Sequence, residues 1–314
     1  MATSALVTGV GGFIGSELAR QLRDSGAAVV GVDDFSLGHE RNVPSGIKFL
    51  RGDLADEDFV KSLENESFDV VFHLAGQSGG ELSFSDPLFD LDANVRSTHL
   101  LMQLMDKTGC RKLLYASSVA AYGDAMGSGE GLVEFQEIRP TTPYGISKRA
   151  SEEYLRVMSV FHGFATASLR LFNVYGAGQD LKRMNQGMLS IYLGQALENG
   201  EVVVKGSFDR YRDFVHVSDA ASAFLAVAEN LKTGHEIYNV CSGTRTYVRD
   251  ALDVLQDSFG GSLKISSVGS TPGDVKGWLG SREKIQRVCG WTPTRSFSDG
   301  FREMIQVEKN RWSE

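Results

Sequence analysis

The sequence predicts an α/β protein built on a doubly wound parallel sheet, with a smaller C-terminal domain interleaved with it. Three observations carry that expectation. Short β-branched runs alternate with helix-period segments through the first half of the chain, as parallel strands joined by crossover helices require. A glycine-rich turn, Gly9-Val-Gly-Gly-Phe-Ile-Gly15, lies where the first strand passes into the first helix. After Gly176 the rhythm changes to shorter strands and a loop-rich stretch marked by glycine and proline.

Taken in order, Ser4–Thr8 reads as a buried strand, and the stripe Ile14, Leu18, Leu22 predicts a helix over Ile14–Arg23. Ala28–Val32 and Ile47–Leu50 read as the second and third strands, and Asp56–Leu63 as a short helix opened by acids. Asp69–His73 is the fourth strand, followed by one long helix over Pro87–Lys107. Lys112–Ala116 and Ala165–Leu171 complete about six strands, with a helix over Tyr144–Phe161 between them. Beyond Gly176, Asn185–Asn199 is helical, Glu201–Val204 and Phe214–Val217 are short strands, and Ser218–Leu231 is a helix. The expected division is a nucleotide-binding domain over 1–176, to which 214–241 returns, and a second domain from 177–213 and 242–314.

Composition removes several classes of function. With 314 residues, 42% hydrophobic and 23% charged, the chain can bury a full core without staples. A net charge of −8 with no basic block speaks against a nucleic-acid partner. Cys110, Cys241 and Cys289 form no C-x-x-C pair, which points to reduced thiols and a cytoplasmic location. The six histidines lack zinc-site spacing, so no metal is expected. No apolar run approaches the roughly 18–20 residues of a membrane span. The first residues enter a strand without a basic region ahead of an apolar one, so no secretory leader is expected.

Gly9, Gly12 and Gly15 fall at a strand-to-helix turn, where one glycine serves the tight turn, one lets a pyrophosphate approach and one lets helix pack on strand. The helix N-terminus offers N–H groups and a partial positive charge to the phosphates. Asp33 ends the second strand 18 residues past Gly15, the place of the acid that accepts from an adenosine ribose. Its carboxylate, doubled by Asp34, repels a 2′-phosphate. The cofactor predicted is NAD, on a Rossmann-type sheet.

Tyr144 and Lys148 are four apart at the start of a helix and share one face. A phenol with a pKa near 10 is a poor base, and a nearby ammonium would favour its phenolate. Ser117-Ser118 follow a parallel strand, at the sheet edge where ligands gather. A hydroxyl there can hold a substrate oxygen while Tyr144 moves its proton.

Together these residues resemble the extended short-chain dehydrogenase/reductase family, in particular its NAD-dependent sugar-nucleotide epimerases and dehydratases. The resemblance extends to Asp53-Leu54, His73-Leu-Ala-Gly76, Asn94, Leu171-Phe-Asn-Val-Tyr-Gly176, Arg212-Asp-Phe-Val-His-Val217 and Gly290-Trp-Thr-Pro293. It implies Ser118, Tyr144 and Lys148 as the catalytic set, with Tyr144 and Lys148 also at the cofactor. It further implies that Phe13, Ile14, Asp33, Asp34, Ser36, Gly38, Asp53, Leu54, Leu74, Ala75, Gly76, Gln77, Asn94 and Phe172 line NAD. Ser118, Asn173, Arg212 and, by compensation, Lys182 and Arg183 would meet a nucleotide-diphosphate sugar. An arginine fork suits phosphate oxygens.

Family dehydratases and decarboxylases usually carry an acid shortly before the Tyr-Gly that comes after the strand-end serine; here those positions are Val119, Ala120 and Ala121. This favours C4 epimerisation through a transient 4-keto sugar, with a one-way reductase or a dehydratase of the same family as alternatives. A non-catalytic NAD-binding regulator is the reading of a different class. The family's Arg-Pro-Gly-Asp turn appears as Thr271-Pro-Gly-Asp274, without its arginine. Helices 87–107 and 144–161 present Leu88, Leu91, Val95, Leu100, Leu101, Leu104 and Met105, and Tyr154, Leu155, Met158 and Phe161, which predicts a homodimer paired through them.

Overall fold

The chain alternates strand and helix from the start: β1 (Ser4–Thr8), α1 (Phe13–Asp24), β2 (Ala28–Asp33), β3 (Lys48–Arg51), α2 (Glu57–Ser62) and β4 (Val70–His73). Then come α3 (Gly80–Ser85), α4 (Pro87–Leu91), a π-helical segment (Asp92–Arg96), α5 (Ser97–Thr108), β5 (Lys112–Ser118), α6 (Pro143–His162), β6 (Ala165–Leu171) and β7 (Asn173–Tyr175). The remainder is α7 (Met188–Asn199), β8 (Glu201–Lys205), β9 (Tyr211–Arg212), β10 (Phe214–His216), α8 (Val217–Asn230), β11 (Gly234–Val240), β12 (Thr246–Tyr247), α9 (Val248–Ser258), β13 (Lys264–Val268), α10 (Glu283–Cys289) and α11 (Phe297–Trp312). This computed structural model describes residues 4–124, 131–182, 187–269 and 276–312.

Seven strands form one parallel sheet in the order β11-β6-β5-β4-β1-β2-β3. The order reverses between β1 and β4, so the crevice at the carboxyl ends of those strands is where a ligand is expected. β4 and β6 are buried at every position, because helices cover both faces. One face buries Val7, Leu18, Leu22, Phe72 and Phe224, and the other buries Leu6, Val71, Leu101, Met105 and Leu155. A separate core gathers Leu193, Val202, Leu255, Phe301 and Met304 from α7, β8, α9 and α11. Each fully buried side chain of this size contributes roughly 1.5–3 kcal/mol, so the late segments hold themselves together beside the sheet.

Two differences from the sequence expectation have physical causes. The helix expected over Pro87–Lys107 is interrupted by the π segment. There the Asn94 carbonyl accepts from Thr98 Oγ1 at 2.6 Å and from Ser151 Oγ at 3.0 Å, and the Ala93 carbonyl from Ser97 Oγ at 2.6 Å. Hydroxyls that take backbone carbonyls compete with the helical ladder. A seventh strand, β11, adds to the expected six: it is an edge strand whose first four residues are only half-buried. The helix expected from Asn185 is described from Met188, and Asn185 lies outside the described residues.

Candidate active site

The β1–α1 turn is shaped by steric limits. Gly9 has φ +71, and a Cβ there would stand 2.7 Å from the Ala75 nitrogen, while a Cβ on Gly15 would run into the Gly9 carbonyl. Strand, turn and helix therefore meet at backbone distance, as a pyrophosphate cradle needs. Gly12 caps α1 without a side chain and donates its own N–H to the Gly9 carbonyl at 3.0 Å. Phe13 and Ile14, which open the helix, line the cavity, and N–H groups of a first turn have no intrahelical partner.

Asp33 is buried at the end of β2. Its two oxygens accept from the Gly11 and Phe35 amides, each at 2.8 Å. Burial raises its pKa, the two amides pull it back, and the charge of Asp34 adds to the rise. The loop after β4 is pinned by Thr8, whose Oγ1 accepts from the Leu74 and Ala75 amides at 3.1 Å and pairs with His73 Nδ1 at 2.9 Å. His73 is held neutral: burial, then the charge of Lys148, pushes its pKa down to about 3.

Helix α6 starts in register because Thr142 accepts the Gly145 amide at 3.0 Å and Pro143 occupies its first turn. That start sets Tyr144 and Lys148 at the cavity, opposite Ser118 at the end of β5. Ser118 accepts the Ala120 amide at 3.1 Å and hydrogen-bonds the Tyr144 hydroxyl. Lys148 Nζ donates to the Ala116 carbonyl at 3.0 Å and stands 5.8 Å from the centre of the Tyr144 ring.

The expected downward pull of Lys148 on Tyr144 is corrected here. Burial pushes the Tyr144 pKa up to about 12, with the Ser118 bond lowering it and Asp90 raising it. Burial also lowers Lys148 to about 8, against the charges of Asp90 and Glu152. Desolvation is the largest cause at both groups, and Lys148, held by the Ala116 carbonyl, has lost its proton well below the pH at which Tyr144 ionises.

A cavity of about 430 Å³ joins these parts. Of the residues singled out in the sequence, Gly9, Gly12, Phe13, Ile14, Gly15, Asp33, Asp34, Ser36, Gly38, Asp53, Leu54, Leu74, Ala75, Gly76, Ser118, Tyr144, Lys148, Phe172 and Asn173 line it. Gln77, Asn94, Lys182 and Arg212 are not among the lining residues. Gln77 bonds to Gly79 in its own loop, and Asn94 bonds to Asp90 and Ser147 behind the wall. Arg212 donates to the Tyr211 carbonyl at 2.8 Å and lies over the Trp278 ring at 5.3 Å. Arg183 and the turn Thr271–Asp274 lie outside the described residues.

Sequence reasoning missed His39, Asn42, Ser78, Gln179 and Asp180 on the wall; Asn42 ends a single 3-10 turn, Glu40–Asn42, and the others lie outside helix and strand, so none carries a periodic signal. It also missed the ion pair behind Ser117. Glu152 takes Arg170 Nε at 2.9 Å and Nη2 at 2.8 Å, and Ser117 Oγ donates to it at 2.6 Å. Among the described residues no group of three or more His, Cys, Asp or Glu is placed to hold a metal, and no helix is long and apolar enough to cross a membrane.

A family model described as the NAD dependent epimerase/dehydratase family matches residues 5–241. A UDP-glucose 4-epimerase of Streptomyces lividans is 30% identical, over 94% of this chain and 93% of its own length. The crystal structure of Thermus thermophilus UDP-glucose 4-epimerase in complex with NAD is 32% identical, covers 96% of this chain and 98% of that one, and has a TM-score of 0.88. The UDP-N-acetylglucosamine 4-epimerase of Methanobrevibacter ruminantium, in complex with UDP-N-acetylmuramic acid, is 25% identical, covers 98% of this chain and 99% of that one, and has a TM-score of 0.91.

Proposed function

This chain belongs to the NAD dependent epimerase/dehydratase family and is an NAD-dependent enzyme of that family, and on that premise we propose that it inverts C4 of a UDP-linked sugar through a transient 4-keto intermediate. The observation that carries the reading is the segment immediately after Ser118. Val119, Ala120 and Ala121 form a short 3-10 turn beside the Ser118–Tyr144 pair, and none of them can give or take a proton. Oxidation at C4 and re-reduction from the other face need only one proton-transfer group, whereas elimination needs a further acid or base.

In this reading Tyr144 takes the 4-hydroxyl proton and later returns it, and Ser118 holds the same oxygen by a hydrogen bond. Lys148 orients the site from behind. When bound, NAD supplies hydride acceptance and return. Gly9, Gly12 and Gly15, Asp33 and Asp34, and the loop Leu74–Gly76 would hold it, with Asn173 and Arg212 toward the diphosphate of the sugar nucleotide. Of the relatives named above, two are UDP-glucose 4-epimerases and one is a UDP-N-acetylglucosamine 4-epimerase, and UDP-glucose/UDP-galactose is the pair we favour.

The sheet with α1–α6, α8 and β11 serves as the cofactor domain, and the core around α7, α9 and α11 as the substrate domain. Of the helix residues expected at a dimer contact, Leu100, Leu101, Leu104, Met105 and Leu155 are buried against the sheet. Leu88, Leu91, Tyr154 and Phe161 stay exposed, beside Phe84, Val157 and Val160. That apolar strip is the surface through which the reading pairs two copies, in the cytoplasm.

The test is incubation of the pure protein with UDP-, GDP-, dTDP- and CDP-sugars and NMR identification of products. C4 epimers with no net change in NADH are expected. Stoichiometric NADH consumption or a deoxy-keto product would replace this reading with a reductase or a dehydratase.

A further inference from the structure

Behind Tyr144 and Lys148 lies a carboxylate that neither the sequence nor the proposed reaction uses. Asp90, on α4, is 1% exposed. Its neighbours Phe89, Asp92 and Ala93 line the cavity, and Asp90 does not. Asn94 Nδ2, four residues on, donates to Asp90 Oδ1 at 3.2 Å and to Ser147 Oγ at 3.1 Å, so the π segment and α6 are tied together at this point. Asp90 Oδ2 and Asn94 Oδ1 are both buried and have no hydrogen-bond partner among the described residues. A Cβ on Gly76 would meet Asn94 Oδ1 and lie 3.4 Å from Lys148 Nζ, so this polar knot borders the lysine. Buried polar atoms left unpaired at a π insertion mark a site held for function over stability.

The charges around Lys148 single out Asp90. From β5, Lys148 meets the Ala116 carbonyl and the face of Tyr115, 4.8 Å from its ring centre. From β4 it meets His73, which is neutral, and on its own helix Tyr144 and Glu152. Glu152 is already matched by Arg170 and by Arg149 Nη1 at 3.0 Å. Asp90 makes no ion pair within 4 Å among the described residues, yet its charge acts on Lys148, Tyr144 and Tyr115. Burial raises the pKa of Asp90 itself and the charge of Lys148 pulls it back, so Asp90 and Lys148 act as each other's counter-charge across the wall.

We propose that Asp90 is a positioning residue for this reaction: from behind the cavity wall, its buried carboxylate holds Lys148 in the ammonium form beside Tyr144. The sign of the effect is the same at both groups. An anion raises the pKa of Lys148 and of Tyr144, so removing it lowers both. The proposal rests on the epimerase reading only for its activity arm.

Asp90→Asn keeps the shape and the oxygen that accepts from Asn94. Two readouts are taken: the pH profile of kcat/KM with UDP-galactose, and the pKa of Lys148 from side-chain NMR of lysine-labelled protein, its signal identified by Lys148→Arg. The expected result is that both limbs of the profile and the Lys148 titration move to lower pH by about one unit or more, with KM little changed and Asp90→Glu restoring much of the shift. A uniform fall in rate at every pH, with the Lys148 titration unmoved, overturns the proposal in favour of a structural role. Asp90→Ser is the second variant; if neither folds, the role is structural and the proposal fails. Should the NMR shift appear while the wild-type protein converts no sugar nucleotide, the epimerase reading fails and the assignment of Asp90 stands.

Discussion

Changing Tyr144 to Phe removes one buried oxygen and leaves the ring in place. Among the described residues the Ser118 side chain is the hydrogen-bond partner of that oxygen, so folding should lose about 1 kcal/mol. The ring still packs at the start of α6, and the cofactor turn is untouched. Activity should respond far more. With its pKa at about 12, the free phenol is ionised at pH 8 to about one part in 10⁴, so proton removal depends on this oxygen being tuned as the substrate binds. Loss of a positioned acid–base group costs on the order of 10²–10⁴ in rate, or about 3–5 kcal/mol of barrier. The assay is conversion of UDP-galactose to UDP-glucose, coupled to a dehydrogenase, with thermal melting and NAD content measured on the same sample. A folded, NAD-containing Tyr144→Phe protein within tenfold of wild-type turnover would refute the assignment of Tyr144.

Four further outcomes are expected. Asp33→Ser should weaken NAD and narrow its advantage over NADP, read by titration with both, because the carboxylate that excludes a 2′-phosphate is gone; equal affinities in the wild type would sink this. Wild-type kcat/KM should decline as pH rises through about 8, where Lys148 loses its proton, and a profile flat from 7 to 10 would contradict it. In Glu152, burial alone would raise the pKa, but the bonds and charge of Arg170 outweigh it and hold it low. Glu152→Gln should therefore leave Arg170 short of a counter-charge and cost about 3–5 kcal/mol in urea unfolding; a loss under 1 kcal/mol would contradict it. Phe161, 79% exposed on α6, should on change to Glu convert a dimer to monomer by light scattering, and a wild-type monomer at micromolar concentration refutes the pairing.

The features legible in the sequence are those whose physics is local. The β1–α1 turn could be read because Gly9 and Gly15 have no room for a Cβ, and steric exclusion writes itself into residue identity. Asp33 could be read because its distance from that turn is set by one strand–helix–strand unit. Tyr144 and Lys148 share a helical face by spacing alone. By contrast β11 pairs with β6 from Gly234 to Val240 across a long separation in sequence, and its half-buried first residues carry no alternation to announce it. The π segment depends on Ser151, on another helix, reaching the Asn94 carbonyl, which no local window contains.

The electrostatics of the site were least legible, and they reverse a sequence argument. Tyr144 and Lys148 one turn apart suggest that the ammonium eases the phenol's ionisation. In the fold both are buried, and desolvation moves each toward its neutral form, the tyrosine up and the lysine down. Pairing on a helix face sets distance, but burial sets the dielectric in which that distance acts. A buried lysine whose pKa has fallen to about 8 stays charged at neutral pH only by a narrow margin. Its charge state therefore depends on carboxylates supplied by the rest of the fold. Glu152 is occupied by two arginines, and Asp90 comes from a separate helix that no spacing rule connects to the Tyr-x-x-x-Lys pair. The proton chemistry of this centre thus belongs to the packing of α4 against α6 as much as to the two residues a motif search finds.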